Sequence, residues 1–177
     1  MNTAFAVWIT GLPASGKSTV TRALVAELDH RGVDVAVLES DALRRVLTPH
    51  PTYGDEERDT FYSAMAFIGS LLVAHGVPVI FDATANLRRY REAARTMIDR
   101  FIEVYVECPL EICVARDPKG LYRKAQSGEA PTLPGLQAAY EPPDRPDVVV
   151  SGRSGTPTAA AESIVRELAN RGYVNAR

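Results

Sequence analysis

The sequence predicts an α/β fold in which helices cover both faces of a parallel sheet of about five strands. Short apolar runs alternate with segments of helical periodicity along most of the 177 residues, and this alternation is typical of a parallel sheet. A glycine-rich turn joins the first apolar run to the first helical segment. Because the length suits one domain, residues 1–177 are predicted to form a single domain.

The elements of the first half follow from apolar runs that end at glycine or proline. The patterns predict a strand over 5–10, a helix over 17–31, a strand over 33–38, a short helix over 42–47 and a long helix over 55–75. A proline-containing segment, 48–51, separates the last two.

The second half continues the alternation and then loses it. The patterns predict a strand over 77–81, a helix over 88–100, a strand over 101–106, a short helix over 110–116, a strand over 148–150 and a helix over 158–171. Residues 117–146 are rich in proline, glycine and charge and have no clear period. Irregular segments of this length in compact domains are usually functional or disordered, so we predict a lid at about 117–146.

Composition excludes several classes of protein. Apolar residues make up 46% of the chain, charged residues 24%, and the net charge is −2, so binding to nucleic acid or to a membrane surface is not expected. No apolar run approaches the roughly 20 residues of a membrane span, and the N-terminus lacks the basic start of a signal peptide. Two cysteines, Cys108 and Cys113, are too few for a zinc site and are predicted to be free thiols in the cytoplasm.

The glycine-rich turn is a complete phosphate-binding P-loop. It reads Gly11-Leu12-Pro13-Ala14-Ser15-Gly16-Lys17-Ser18, followed by Thr19. Backbone N–H groups of such a loop and the N-terminus of the next helix bind phosphate, Lys17 reaches the β- and γ-phosphates, and the Ser18 hydroxyl is placed to ligate Mg²⁺. The motif therefore predicts a three-layer α/β/α P-loop fold that binds ATP and Mg²⁺. No Asn-Lys-x-Asp tetrapeptide occurs, which disfavours a switch GTPase.

Acidic residues follow two of the predicted strands, at the sheet edge where ligands bind. Asp41 is a candidate Mg²⁺ ligand or acceptor of the proton of an attacking hydroxyl, although Ser40 or Asp41 could instead cap the short helix. Arg44, three residues on, could clamp an anionic acceptor. Asp82 resembles the Walker B aspartate, which binds Mg²⁺ directly or through water.

Further polar residues complete the predicted site. Asn86 follows Asp82 and could contact substrate or cap the next helix. Arg88 begins a run at helical spacing with Arg91 and Arg95; such a run is usually a solvated face, with Arg88 nearest the substrate. The lid carries Arg116, Lys119, Arg123 and Lys124, cations that could close over the transferred phosphate, or could form a solvated basic loop.

Nearly the whole chain resembles adenylylsulfate kinases, which phosphorylate the 3′-hydroxyl of adenosine 5′-phosphosulfate. The P-loop contributes to the resemblance, and three segments are more specific. They are Phe101-Ile102-Glu103-Val104-Tyr105-Val106-Glu107-Cys108-Pro109-Leu110-Glu111, the run from Ala115-Arg116-Asp117-Pro118-Lys119-Gly120 through Leu121-Tyr122-Arg123-Lys124-Ala125, and Tyr140-Glu141-Pro142-Pro143.

The resemblance implies roles for individual residues. It implies that Asp41 is the catalytic aspartate, that Arg44 and Arg58 bind the acceptor, and that Tyr53 stacks on the acceptor's adenine. It also implies that Arg116 and the segment that contains Thr156 and Pro157 flank the adenine of ATP. A homodimer is implied as well.

The sequence departs from the family pattern where the acceptor would bind. Phe61 stands at the position of a family asparagine, and Ala83-Thr84-Ala85-Asn86-Leu87-Arg88 replaces a stretch of which only the arginine is kept. Pro131 and Leu133 stand where the family has a lysine and a phenylalanine. The altered stretch resembles a segment of polynucleotide-kinase-like enzymes. Two alternatives therefore stay open: a kinase of the same family that acts on another nucleotide or a sugar-like hydroxyl, and a nucleotide-binding protein without catalysis.

Overall fold

The computed structural model describes residues 4–129 and 132–175. These residues form five strands, namely β1 Ala6–Thr10, β2 Ala36–Glu39, β3 Val79–Asp82, β4 Phe101–Glu107 and β5 Val148–Ser151. The helices are α1 Lys17–Asp29, α2 Ser40–Leu47, α3 Asp55–Ala74, α4 Arg88–Met97, α5 Leu110–Arg116, α6 Leu121–Gln126 and α7 Pro157–Asn170. The predicted alternation of strands and helices is confirmed.

The five strands form one parallel sheet in the order β2-β3-β1-β4-β5. Every residue of the central strand β1 is buried, as expected of a strand covered on both faces. The order places β1 and β3 side by side, with Ile9 opposite Asp82. The P-loop after β1 and the aspartate that ends β3 therefore lie at the same edge of the sheet.

Each face of the sheet has its own apolar layer. Trp8 and Phe81 pack with Phe61 and Met65 of α3 on one face. Helices α1 and α7 supply the other layer, with residues that include Leu24, Leu28, Ile164 and Leu168. Gly69 lets α3 approach the sheet closely, because a Cβ there would collide with the ring of Phe81. This layered packing confirms the predicted three-layer α/β/α fold.

The lid segment is more ordered than its composition predicts, because it contains α6. The carboxylate of Asp117 accepts hydrogen bonds from the backbone N–H groups of Tyr122 (3.1 Å) and Arg123 (3.0 Å), which satisfies the free donors of the first turn. Tyr122 and Ala125 are buried. Six residues are too few to show a helical period, so the sequence did not reveal this helix.

The arginines of α4 do not form the solvated face that their spacing suggested. Arg91 is 1% exposed; its Nε donates to Glu103 at 2.5 Å, and its Nη2 donates to the carbonyl of Glu141 at 2.8 Å. Arg95 pairs with Asp147 at 2.9 Å. A buried ion pair is stable only with further hydrogen bonds, and here these bonds fix the strand β4 to the segment before β5.

Two further expectations concern bulk properties. Cys108 and Cys113 are free and buried, as predicted. Within residues 4–129 and 132–175, no helix is long and apolar enough to cross a membrane.

Candidate active site

One large cavity, of about 910 Å³, opens at the carboxyl edge of the sheet. Ligands of parallel α/β sheets bind at this edge. The predicted site residues that line it are Pro13, Ala14, Gly16, Lys17, Ser18, Thr19, Asp41, Arg44, Tyr53, Arg58, Asp82, Asn86, Arg116, Lys119 and Leu133. The structure therefore brings most of the predicted residues to the wall of a single cavity. Pro131 lies outside the described residues.

The P-loop has the backbone conformation of a phosphate cradle. Gly16 and Ala14 adopt positive φ angles of 105° and 60°, which turn successive N–H groups toward one side. Gly11 cannot be replaced by a larger residue, because a Cβ there would lie 2.7 Å from the carbonyl oxygen of Val106. The loop leads directly into α1, so the positive end of the helix adds to the cradle.

Lys17 reaches back across the P-loop. Its Nζ donates hydrogen bonds to the carbonyl oxygens of Gly11 at 3.0 Å and Leu12 at 2.8 Å. Burial lowers the pKa of Lys17 to about 8, although the negative charges of Asp82 and Asp41 oppose this shift. A bound polyphosphate would place further negative charge beside this ammonium group and so raise its pKa.

Asp41 faces the lid. Its Oδ2 accepts a hydrogen bond from Lys119 Nζ at 2.5 Å, and this bond raises the pKa of Lys119. The two side chains are 53% and 60% exposed, so the pair contributes little to stability and can open. The N-cap of α2 is Glu39, which makes no side-chain capping hydrogen bond. Ser40 and Asp41 lie inside the first turn, so neither is the cap.

The hard oxygen groups at this edge fit Mg²⁺. Asp82 is 5% exposed at the end of β3, and it interacts electrostatically with Lys17. The hydroxyl of Ser18 and the carboxylate of Asp41 line the same cavity. In the described part of the chain, no group of three or more His, Cys, Asp or Glu side chains could hold a metal by itself. Mg²⁺ in phosphoryl-transfer sites is bound by one or two protein groups together with substrate phosphates, and this chain offers that kind of set.

A cluster of arginine and aromatic side chains lines the cavity beyond Asp41; we call Arg44, Arg58 and Tyr53 the arginine end. The Arg44 guanidinium is paired with Glu57 at 3.1 Å and lies 5.0 Å from the ring centre of Tyr53. Arg58 is 5% exposed, and its Nη2 donates to the carbonyl of Thr132 at 2.6 Å. Fixed guanidinium groups of this kind bind planar anions well.

Asn86 lines the cavity, whereas Arg88 does not. The Asn86 amide donates to the carbonyl of Ala139 at 2.9 Å instead of capping α4, whose N-cap is Leu87 without a side-chain bond. Arg88 turns away: its Nε donates to the carbonyl of Pro142 at 2.7 Å, and it pairs with Asp144 at 3.2 Å. In this arrangement the arginine ties α4 to the end of the lid and lies off the cavity wall, and its contact with substrate stays a prediction.

Five other predicted residues lie off the cavity wall, and one of them is Gly11 at the start of the P-loop. Phe61 is 1% exposed, and its ring packs beneath Arg44 with the guanidinium carbon 4.0 Å from the ring centre; it supports Arg44 and does not line the cavity. Ser15 is completely buried within the P-loop. Thr156 caps α7, since its Oγ1 accepts from Ala159 N at 3.1 Å, and Pro157 follows as the first helical residue.

Arg116 lies at the P-loop end of the cavity, which we define as residues 11–19 and Arg116. Its Nη1 donates to the carbonyl of Gly152 at 2.6 Å, and Gly152 is packed tightly enough that a Cβ would meet Cys108 and the P-loop backbone. Arg116 is therefore held beside the P-loop.

The sequence did not single out several residues that shape this site. Glu57 binds Arg44, and the hydroxyl of Tyr62 accepts a hydrogen bond from Ala85 N at 3.2 Å. Thr84 and Tyr62 also line the cavity. Their partners are distant in the chain or follow from the fold, and no local motif marks them.

A P-loop, hard oxygen ligands and fixed cations around one cavity define a P-loop phosphotransferase. Comparison with known proteins gives the family. The adenylylsulphate kinase family matches residues 3–151, and the chain belongs to that family.

Individual relatives agree with this assignment. The adenylyl-sulfate kinase of Microcystis aeruginosa is 38% identical over 96% of this chain and 93% of its own length. A probable adenylyl-sulfate kinase of Pyrococcus abyssi is 38% identical over 96% of this chain and 98% of its own length. Among solved structures, the Mycobacterium tuberculosis APS kinase CysC in complex with AMPPNP and APS has a TM-score of 0.87 at 31% identity, covering 93% of this chain and 97% of that one.

Proposed function

We propose that this chain transfers the γ-phosphate of ATP to the 3′-hydroxyl of adenosine 5′-phosphosulfate, giving 3′-phosphoadenosine 5′-phosphosulfate. The observation that carries the proposal is the single cavity that joins the P-loop to the arginine end. The P-loop end suits a nucleoside triphosphate, and the arginine end suits an acceptor with an aromatic base and anionic groups. Membership of the adenylylsulphate kinase family favours this acceptor.

The residues divide the work between the two substrates. The P-loop amides bind the triphosphate, and Lys17 compensates the charge that develops on the γ-phosphate. Arg116 flanks the adenine of ATP; Thr156 and Pro157 stay predicted neighbours of that adenine. Arg44 and Arg58 bind the anionic groups of the acceptor, and the partly exposed ring of Tyr53, 42% exposed, stacks on its adenine.

Asp41 acts at the centre of the cavity. Its carboxylate orients the acceptor hydroxyl or takes its proton. Ser18, Asp41 and Asp82 would hold Mg²⁺, which when bound neutralises phosphate charge and orients the γ-phosphate. Lys119 moves from Asp41 to the transferred phosphoryl group as the lid closes. Phosphoryl transfer requires little covalent chemistry from the protein, so positioning of the substrates supplies most of the rate.

The test is an acceptor panel. ADP release from ATP and Mg²⁺ is measured with adenosine 5′-phosphosulfate, with adenosine 5′-phosphate and with gluconate, using Lys17→Ala as the blank. We expect turnover of about 1–100 s⁻¹ with the first acceptor. A rate above the blank only with gluconate, or only with adenosine 5′-phosphate, would replace the proposed acceptor while keeping the kinase class. No acceptor-dependent rate with intact ATP binding would favour a non-catalytic protein.

The homodimer is also part of the proposal, and it rests on the family resemblance alone. Light scattering coupled to size-exclusion chromatography measures the mass directly. A mass twice that of the monomer is expected, and a monomer at micromolar concentration would contradict it.

A further inference from the structure

Glu57 makes four hydrogen bonds that join two parts of the arginine end, although it does not line the cavity. Its Oε1 accepts from Arg44 Nη1 at 3.1 Å and from the backbone N–H of Tyr53 at 3.3 Å. Its Oε2 accepts from the backbone N–H of Thr52 at 2.6 Å and from the Thr52 hydroxyl at 2.9 Å. One carboxylate therefore holds a helix α2 side chain and the turn that precedes α3.

The turn needs support from outside because its backbone is strained. Tyr53 adopts a φ angle of 56°, in the left-handed region that residues with a side chain rarely occupy. Such conformations persist where surrounding contacts over-determine them. Here the N–H groups of Thr52 and Tyr53 are both bound by Glu57, and the Thr52 hydroxyl also accepts from Gly54 N at 3.3 Å. The carboxylate thus fixes the backbone that presents the Tyr53 ring to the cavity.

Arg44 is fixed from two sides. Glu57 binds its Nη1, and the rings of Phe61 and Tyr53 lie 4.0 Å and 5.0 Å from its guanidinium carbon. The side chain is 11% exposed, so few of its rotamers remain available. An arginine held in this way loses little entropy when its free N–H groups bind an anion.

Glu57 carries its charge in this arrangement. Partial desolvation raises the pKa of Glu57, but the hydrogen bonds from Thr52 and Tyr53 and the charge of Arg44 outweigh that effect and lower it. The carboxylate is consequently ionised at neutral pH, the form that accepts all four hydrogen bonds.

We infer that Glu57 is the positioning residue of the acceptor site, which sets the Arg44 guanidinium and the Tyr53 ring in the arrangement that the acceptor binds. The inference rests on the proposed function in that it takes Arg44 and Tyr53 as acceptor contacts. None of these four hydrogen bonds reaches the P-loop end, so the loss of the Glu57 carboxylate should weaken acceptor binding and leave ATP binding unchanged.

The first experiment compares Glu57→Gln with Glu56→Gln. Glutamine keeps the size of Glu57 but removes its charge and replaces one acceptor oxygen with a donor, and Glu56 is its exposed neighbour with no side-chain contact to the site. Steady-state ADP release should show a rise of about tenfold or more in KM for adenosine 5′-phosphosulfate in Glu57→Gln. KM for ATP should stay within about twofold, and Glu56→Gln should match the parent protein in both.

A second readout does not depend on turnover. Amide hydrogen exchange of residues 52–54 should accelerate about tenfold or more in Glu57→Gln, because one of the two oxygens that accept from the Thr52 and Tyr53 N–H groups becomes a donor, while residues 11–19 keep their protection. Thr52→Val removes the two hydrogen bonds of the hydroxyl, to Glu57 and from Gly54 N, but keeps the backbone bonds to the carboxylate, so it should give a smaller change of the same kind. If the parent protein shows no turnover with this acceptor, the proposed function fails and the exchange result alone decides the role of Glu57.

Two outcomes would overturn the inference. An acceptor KM and a 52–54 exchange rate in Glu57→Gln that both match Glu56→Gln would show that Glu57 positions nothing. An equal rise in the KM of ATP and of the acceptor, with faster exchange throughout the chain, would show general damage to the fold.

Discussion

The two ends of the cavity are built in different ways. The P-loop end is largely backbone from one contiguous segment, residues 11–19, with Lys17 folded onto its own loop carbonyls. The arginine end is built from side chains of α2, of α3 and of the turn between them, which Glu57 links. Arg58 Nη2 joins this end to the lid through the carbonyl of Thr132. A backbone site depends on glycine and loop geometry, whereas a side-chain site depends on pairwise contacts that single substitutions can change.

This difference explains where the chain departs from its family pattern. A Cβ at Gly11 would collide with Val106, so the P-loop tolerates little change. At the arginine end, Phe61 replaces an expected polar residue and instead supports Arg44 from below. Substitutions at the two ends should therefore affect different substrates, and a substitution between them should affect the chemical step.

The largest expected effect is at Lys17. Lys17→Ala should lower kcat at least about a thousandfold, because the charge that develops on the γ-phosphate loses its compensating cation. Acceptor affinity, measured by calorimetry with adenosine 5′-phosphosulfate, should stay within about threefold of the parent protein. Activity close to that of the parent protein would contradict the proposal that Lys17 compensates the charge on the γ-phosphate.

Asp41 lies between the two ends, and its substitution should slow the chemical step without weakening the binding of ATP or of the acceptor. Asp41→Asn should lower kcat about a hundredfold to ten-thousandfold, with the dissociation constant for ATP nearly unchanged. Asp34→Asn is a matched control, since Asp34 is exposed and lies before β2. A variant with weaker ATP binding but unchanged kcat at saturation would contradict the assignment of Asp41.

Substitution of Arg44 should affect acceptor binding and leave ATP binding unchanged. Arg44→Lys keeps the positive charge but removes the planar fork, so KM for the acceptor should rise about tenfold to a hundredfold while KM for ATP stays constant. Arg31→Lys, just after the end of α1 and paired with Glu27 of that helix, controls for the substitution itself. Equal changes in both KM values would mean that the two ends are not independent.

The smallest predicted effect is a pH dependence at the P-loop end. Because burial lowers the pKa of Lys17 to about 8, its protonated fraction falls from about three-quarters at pH 7.5 to about one-tenth at pH 9. ATP binds the protonated form, so the dissociation constant for ATP should rise severalfold over this range. Lys17→Arg keeps its charge and should show a flat profile. A flat profile in the parent protein would contradict the lowered pKa.

The sequence revealed the P-loop end more fully than the arginine end, for a physical reason. The phosphate cradle is formed by one local segment: the glycine pattern between an apolar run and a helix determines its backbone conformation and indicates that it binds phosphate. Asp41 and Asp82 were also predictable as cavity residues, because they lie at the carboxyl ends of the neighbouring strands β2 and β3. The alternation of strands and helices along the sequence was enough to predict the fold class and the parallel direction of the strands.

What the sequence did not reveal depends on contacts between distant segments. Arg88 resembled a substrate arginine, yet its guanidinium binds Pro142 and Asp144. Arg91 lies on the same helix and is buried against Glu103, which no charge pattern along α4 indicates. Glu57 stands in an acidic run at the start of α3, and only its contacts with Arg44 and Thr52 distinguish it from Glu56.

The most direct test of the central claim identifies the product. Adenosine 5′-phosphosulfate is incubated with the protein, Mg²⁺ and ATP labelled in the γ-phosphate, and the products are separated and examined by ³¹P NMR and mass spectrometry. The proposed function predicts one labelled phosphate on the 3′-oxygen of the acceptor for each ADP formed. Label recovered only as inorganic phosphate, or on another hydroxyl, would contradict it.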